Sequence, residues 1–442
     1  MDIKDSIDLN KLSNNFDVAV IGGGIVGAGI IRDLTLHGIN AILIDKKDFS
    51  SQTSSKSSKM LHGGIRYLEN YDFDLVFEAL QEKNFWLKRT PHLCYESKFY
   101  LPIFKDSIRP LWMIKLGLFL YDALSLFTQS PHQLLNKQQT LKELPSLHNS
   151  NLKGSGIYHD AVVDDYRMTI EILVDAKKIG NDNIEILNHV SANGFEFNND
   201  KVSINLKDMI KGDEKQIIVN DVIFATGPFS DDILSKIKAL NWTNKLIPSK
   251  GSHLWLKWDS LNIDYPVVLT PNDGRVIFII PQKDKILVGT TEKHHDGDKF
   301  DIEASPEEIT YLKANIEEYF KININEDMII SSYAGIRPLV RDDSGDNRGK
   351  TARNHKIYQP RKNCFVIIGG KYTTFRVMAS DMVKMVLKRK NKAYRADLSF
   401  SKLSFNPYYF PFNKERNHSD YEKLIIHNEF IRTKEDFIRR TS

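Results

Sequence analysis

The chain has 442 residues, 41% hydrophobic and 27% charged, with a net charge of +4. That length exceeds one ordinary core, so two main domains are expected in a globular protein of usual composition. The lysines are spread along the chain, which favours a solvated surface over a nucleic-acid partner. The two cysteines, Cys94 and Cys364, make neither a disulfide framework nor a metal-ligand spacing, so no metal site is expected and the compartment is read as reducing.

Residues Met1 to Asn15 are polar and carry Asp2, Asp5 and Asp8. They fit neither a signal nor a transit peptide and are expected to form a short disordered leader. The run Phe16-Asp17-Val18-Ala19-Val20-Ile21 then ends abruptly at Gly22, and Gly22, Gly24 and Gly27 fill the glycine places of Gly-x-Gly-x-x-Gly. Strand, tight turn and helix are expected, with phosphates on the open N–H groups around Ile25 and Val26. Asp45 closes the next apolar run, Ala41-Ile42-Leu43-Ile44, about 20 residues on, where its carboxylate suits the ribose hydroxyls of an adenosine. Together these features predict a dinucleotide site.

The stretch from Ser50 to Tyr67 contains Thr53, Ser54, Ser58, Lys59, His62, Gly63 and Gly64. Hydroxyls and glycines next to cations suit a loop lying along a phosphate-bearing cofactor better than a free linker. A helix is predicted from Phe73 to Arg89, stopped by Pro91. Leu111 to Phe127 is the most apolar segment, but it is too short to span a membrane and holds Lys115 and Asp122. A buried core helix competes there with a helix lying in a membrane interface, for which Arg109, Lys115 and the aromatics are apt.

From Asn183 to Val222 the alternation predicts antiparallel strands with a polar turn near Asp208 to Lys215. Val222 to Pro228 repeats the strand-and-glycine turn, presenting Ala225, Thr226 and Gly227 before a helix from about Ser230. Strand-like runs follow at Ser252 to Leu256, Arg275 to Pro281 and Lys285 to Gly289. A last strand, Cys364 to Ile368, meets Gly369-Gly370 and a helix expected from Lys371 to Arg389. A discontinuous α/β domain of the Rossmann type is therefore expected over residues 16–100, 150–245 and 333–390. A mostly antiparallel β substrate domain is expected over 101–149 and 246–332, and a short helical C-terminal region over 391–442.

Taken jointly, several segments resemble one family. They are Gly22 to Gly29, Thr53 to Lys59 running into His62-Gly63-Gly64-Ile65-Arg66-Tyr67-Leu68-Glu69, Lys250-Gly251-Ser252-His253, Gly289-Thr290-Thr291-Glu292, Gly335-Ile336-Arg337-Pro338-Leu339 and Gly369-Gly370-Lys371-Tyr372-Thr373-Thr374. The set is similar to the FAD-dependent respiratory glycerol-3-phosphate dehydrogenases and runs in order from about Phe16 to Arg389. The resemblance implies a glutathione-reductase-like flavoprotein. It would oxidise sn-glycerol 3-phosphate to dihydroxyacetone phosphate and pass electrons to a quinone, peripherally on the cytoplasmic face of the inner membrane. Self-association is left open. Asp45 stands where Glu is more usual, and the chain stops at Ser442 where the family continues into a helical domain.

On that resemblance Arg337, stiffened by the proline after it, is the first choice for the substrate phosphate, with Arg66, Tyr67 and Arg353 as further partners. His253 is nominated as the base and Lys371 as its rival. The N–H groups of the helix expected at Lys371, with Gly370 and Thr373, would stabilise the charge of a reduced flavin. Val190 is expected to meet the adenine through its backbone. A flavin amine or amino-acid oxidase of similar fold, or a degenerate non-catalytic flavoprotein, are the alternatives. Near the end, Thr433 and Asp436 read as a capping box for a short helix. That tail is expected to be a truncated remnant of the family's helical domain, docked loosely on the core or completed by another chain, with the FAD site independent of it.

Overall fold

The computed structural model describes residues 7–341, 354–403, 422, 425–426 and 428–441. The described residues form two units. One comprises the parts of Met1–Ser55, Asp164–Ile247 and Pro338–Ser442, the other Lys56–Val163 and Pro248–Arg337.

In the first unit the strand Asn15–Ile21 lies between Glu214–Phe224 and Ala41–Ile44, parallel to both. Cys364–Ile368 and Ile184–Leu187 extend the parallel sheet on either side. Val18, Ala19 and Val20, like Ala41, Ile42 and Leu43, are fully buried, which is why these strands read as continuous apolar runs rather than alternating ones. The helix Ile25–Leu36 returns across the sheet and packs against the helices Asp165–Gly180 and Phe375–Arg389. Gly29 permits the close approach, since a Cβ there would stand 3.0 Å from the Phe375 ring. Arg32 Nε, buried between helices, donates to Asp175 at 2.6 Å. An antiparallel meander, Val190–Asn198 and Lys201–Asp208, joins the edge of Glu214–Phe224.

The second unit is built on a ten-stranded sheet. Along it lie Lys293–His294, Leu246–Lys257, Lys285–Gly289, Ile277–Gln282, Val267–Leu269, Cys94–Phe104, Leu152–Val163 and Met60–Leu61. The neighbours on this path are antiparallel except Val267–Leu269 with Cys94–Phe104. Ile329–Val340 adds beside Leu246–Lys257.

Several expectations need correction. Residues 56–100 and 150–163 belong to the second unit, because Cys94–Phe104 and Leu152–Val163 pair along nearly their whole lengths and Met60–Leu61 joins them. Residues 7 to 15 are not a free leader: Leu9, 1% exposed, is part of the first unit's core. The helix expected at Lys371 starts at Phe375, because Gly369 and Gly370 both take left-handed φ, 81° and 76°, and non-helical chain follows them. The helix Leu111–Leu124 is no core helix, since only Leu118, Tyr121 and Asp122 on it are buried.

The tail is not loosely docked either. The capping box forms, with Asp436 Oδ2 accepting from Thr433 N–H at 2.9 Å and Thr433 Oγ1 from Asp436 N–H at 3.1 Å. The helix it starts, Lys434–Thr441, belongs to the first unit, and Glu429, Arg432, Asp436 and Arg440 are buried there.

Candidate active site

In the first unit the turn after Ile21 is shaped by what glycine omits. Gly22 takes φ 110°, and a Cβ on it would stand 2.6 Å from Ala225 O. At Gly24 a Cβ would meet Ser54 Oγ at 2.9 Å, and that hydroxyl accepts from Ile25 N–H, the first residue of the helix, at 2.9 Å. The backbone donors of a helix start suit a pyrophosphate, with the Ser54 hydroxyl meeting the first of them.

Asp45 sits beside this turn at the end of the neighbouring strand. Its Oδ2 accepts from Gly23 N–H at 2.7 Å and its Oδ1 from Lys47 N–H at 2.8 Å, so the carboxylate is oriented by backbone alone. Burial raises it to about 6, against the lowering pull of those two bonds. Val190 N–H bonds the Asp45 carbonyl at 2.9 Å, which puts Val190 next to the acid through its backbone. Ala225 and Thr226 face the same turn, and Gly227 takes φ 53°. Thr53 shares a 3-10 turn with Ser54. Lys371 is half-buried and Thr373 buried after the Gly369-Gly370 turn, and Tyr372 OH donates to Asp165 O at 2.5 Å. A glycine turn, a helix start and an oriented acid fit the pyrophosphate and ribose of a dinucleotide.

In the second unit the strands Leu246–Lys257, Lys285–Gly289 and Ile329–Val340 assemble a basic cluster. His253 is opposite Gly289, where a Cβ would overlap the imidazole, so the glycine makes the ring's place. Gly251 does the same for Arg337, whose Nη2 would lie 2.8 Å from a Cβ there and donates to Thr290 Oγ1 at 2.9 Å. The imidazole, 2% exposed, stacks on Tyr333 at 4.8 Å between centroids and shares a 2.9 Å hydrogen bond between Nε2 and Ser58 Oγ. Tyr333 OH in turn donates to Ser57 O at 2.6 Å, and Lys59 lies over the Tyr333 ring. Burial, then the Arg337 and Lys59 cations, hold His253 well below the usual imidazole value, so it is neutral near pH 7.

Also in this unit, Arg66 lies over the buried Tyr67 ring at 5.5 Å, and Gly64, with φ 77°, leaves the room that ring fills. Gly63 N–H donates to Tyr121 OH at 2.9 Å, and half-buried His62 precedes it. Thus Ser58, Lys59, His253 and Arg337 come together, whereas Lys371 and the Gly22–Asp45 cradle belong to the other unit. Arg353 lies outside the described residues. Tyr333 and Thr290 are partners that the sequence reading did not nominate. The signal for Tyr333 is the period of two in Tyr333, Gly335 and Arg337, which share one face of a strand.

A family model described as FAD dependent oxidoreductase matches residues 17–375. The aerobic glycerol-3-phosphate dehydrogenase of Staphylococcus haemolyticus is 33% identical over 409 residues, 91% of this chain and 72% of the relative. Among solved structures, the glycerol-3-phosphate dehydrogenase from Bacillus halodurans complexed with FAD is 30% identical, with a TM-score of 0.72, covering 89% of this chain and 68% of that one. A glycine oxidase from Geobacillus kaustophilus, at 18% identity and a TM-score of 0.64 over 88% of this chain and 99% of that one, shares the fold. The cofactor of this chain is FAD.

The state of Asp45 gives a pH prediction. Its folded value, about 6, lies above the ordinary 3.8, so the buried charge costs the apoprotein stability above about pH 6 and that cost is relieved as pH falls. FAD binding uses the charged carboxylate and should run the other way, weakening below about pH 6 by up to about tenfold per pH unit. Titration of apoprotein with FAD between about pH 7 and 5 checks this. Asp45→Asn should bind weakly with no such dependence; an unchanged profile in that variant would contradict the role.

Proposed function

We propose that this chain, which belongs to the FAD-dependent oxidoreductases and among them to the aerobic glycerol-3-phosphate dehydrogenases, oxidises sn-glycerol 3-phosphate to dihydroxyacetone phosphate and delivers the electrons to a quinone at a membrane surface. The observation that carries the reading is the buried His253, held by Ser58 and stacked on Tyr333, with the Arg337 and Lys59 cations beside it. When bound, FAD supplies the hydride acceptor for the substrate C2 and the store from which electrons leave.

The remaining chemistry falls to the chain's own side chains. Arg337, oriented by Thr290, offers a planar fork suited to a dianionic phosphate, with Lys59 as a second charge and Arg66, Tyr67 and Arg353 as further candidates. His253 is the proposed base for the C2 hydroxyl, and Lys371 the alternative. Arg337 and Lys59 lower the basicity of His253 in the free enzyme. A phosphate dianion seated on those cations offsets them, so substrate binding itself makes the imidazole a better proton acceptor. In the tautomer that donates Nε2–H to Ser58, the lone pair is on Nδ1, which has no hydrogen-bond partner among the described residues.

The membrane part of the reading rests on the helix Leu111–Leu124. No helix among the described residues is long and apolar enough to cross a membrane. This one instead turns an apolar face outward: Trp112 is 68% exposed, and Leu111, Leu116 and Phe119 are exposed with it. Leu126 and Phe127 continue the face just beyond its end, and Lys115 is exposed on the same helix. Apolar groups with a cation at their edge suit a helix lying in a lipid interface, and the proposed location is the cytoplasmic face of the inner membrane.

Arg337→Ala should lower kcat/KM for glycerol 3-phosphate by about 3 to 5 kcal/mol, the range for removing one partner of a desolvated charge pair. In the wild type the acid limb of kcat, which reports the substrate complex, should lie at higher pH than that of kcat/KM. Removing a lowering cation in Arg337→Ala should move the kcat/KM limb upward. Steady-state rates across pH check both, and unchanged kinetics in the variant would refute the phosphate role.

Vesicles containing anionic lipid should bind the protein and blue-shift Trp112 emission, and Trp112→Ser with Phe119→Ser should weaken binding. Equal binding by that double variant would exclude this face.

A further inference from the structure

The segment ahead of the C-terminal helix, and the helix itself, are gripped by buried polar contacts with the first unit, and those of Arg440 reach the loop that follows Asp45. Arg440, 4% exposed, aims Nη1 and Nη2 at the two Asp48 oxygens, 2.8 Å each. Asn188 Nδ2 donates to Asp48 at 3.1 Å and to Phe430 O at 2.9 Å, while Tyr166 OH donates to the same carboxylate at 3.2 Å. Arg432 donates to Asn188 O at 2.8 Å and pairs with Asp208 at 2.7 Å. His189 meets Asp436 at 3.0 Å, and Arg167 holds Glu429 with two 2.5 Å bonds. The Phe430 ring packs edge-on against Phe49 at 5.4 Å.

Asp48 and Phe49 are in the loop that leaves Asp45. Phe49 fills the space a side chain on Gly23 would need, and Ser50 N–H bonds Gly23 O at 3.1 Å. His189 N–H bonds Lys47 O at 3.1 Å, and Lys47 N–H holds the Asp45 carboxylate. Lys47, which helps to aim Asp45, and Phe49, which backs the glycine turn, are therefore on the same short loop that Arg440 and Phe430 fasten.

We propose that residues 429–440 form a clamp on the adenosine side of the FAD site, with Arg440 a positioning residue that acts through Asp48. This rests on FAD occupying the Gly22–Asp45 cradle. Asp48, 3% exposed, has its charge matched by Arg440. Without that guanidinium a buried carboxylate is left unmatched, and turning the 45–50 loop toward water relieves it. That motion carries Phe49 away from Gly23 and Asp45 out of aim, so the loss is read in the cofactor. The FAD site thus depends on the tail, contrary to the expectation from sequence.

The test uses purified holoenzyme and follows FAD release by the fluorescence of the freed flavin, with thermal midpoints measured with and without added FAD. Arg440→Gln should release FAD about 10- to 100-fold faster, by analogy with the effect of removing the outer partners of metal-holding side chains. Arg440→Lys should recover part of the loss, and the thermal gain from added FAD should shrink in Arg440→Gln. Should that variant not fold, Arg440→Gln with Asp48→Asn carries the test: with no unmatched charge left it should fold and release FAD at close to the wild-type rate, and release as fast as that expected for Arg440→Gln would overturn the role of Asp48. Unchanged release, or midpoints that fall equally with and without FAD, would overturn the clamp. Wild-type protein that binds no FAD would instead overturn the cofactor assignment on which it stands.

Discussion

Both halves of the chemistry depend on backbone approached where a side chain is missing. At Gly22 the missing Cβ lets the strand turn under Ala225, and at Gly24 it leaves room for the Ser54 hydroxyl at the helix start. At Gly251 and Gly289 it makes the places that Arg337 and His253 occupy. The first pair lies in the turn that follows a strand of the parallel sheet, the second among antiparallel strands of the other unit. In both, rigid strands aim groups that a loop would leave loose, as precise sites require.

Electrostatics then distinguishes the two units. The first presents one carboxylate, Asp45, held by backbone N–H groups and desolvated, which is an arrangement for hydroxyls. The second presents cations around an imidazole kept neutral by burial and by those cations, which is an arrangement for a phosphate next to a proton acceptor. On the proposed function, the cations that lower the basicity of this imidazole are the ones a substrate phosphate would neutralise, which would couple recognition and base strength through charge.

How much of this could be read from sequence varied with the range of the interactions. The helix Phe73–Arg89 and the strands Lys285–Gly289 and Cys364–Ile368 lie where the pattern puts them, because an apolar period or run with a local stop defines each. The start of Phe375–Arg389 was misread because two consecutive left-handed glycines delay the helix. The outward face of Leu111–Leu124 was hidden, since its apolar residues surround the helix and composition cannot say which side is covered. Of the residues gathered at the two candidate sites, the glycines, Asp45, His253 and Arg337 are nominated by sequence, but Thr290 and Tyr333 join them only through strand pairing and stacking. Arg440 and Asp48 are separated by most of the chain, and no periodicity links them.

The central claim, that this flavoprotein oxidises sn-glycerol 3-phosphate, is tested most directly by anaerobic addition of that substrate to the purified yellow protein. The account predicts that the oxidised-flavin absorbance bleaches and returns when a quinone is added. Absorbance that glycerol 3-phosphate leaves unchanged, or that glycine or a D-amino acid bleaches in its place, would contradict it.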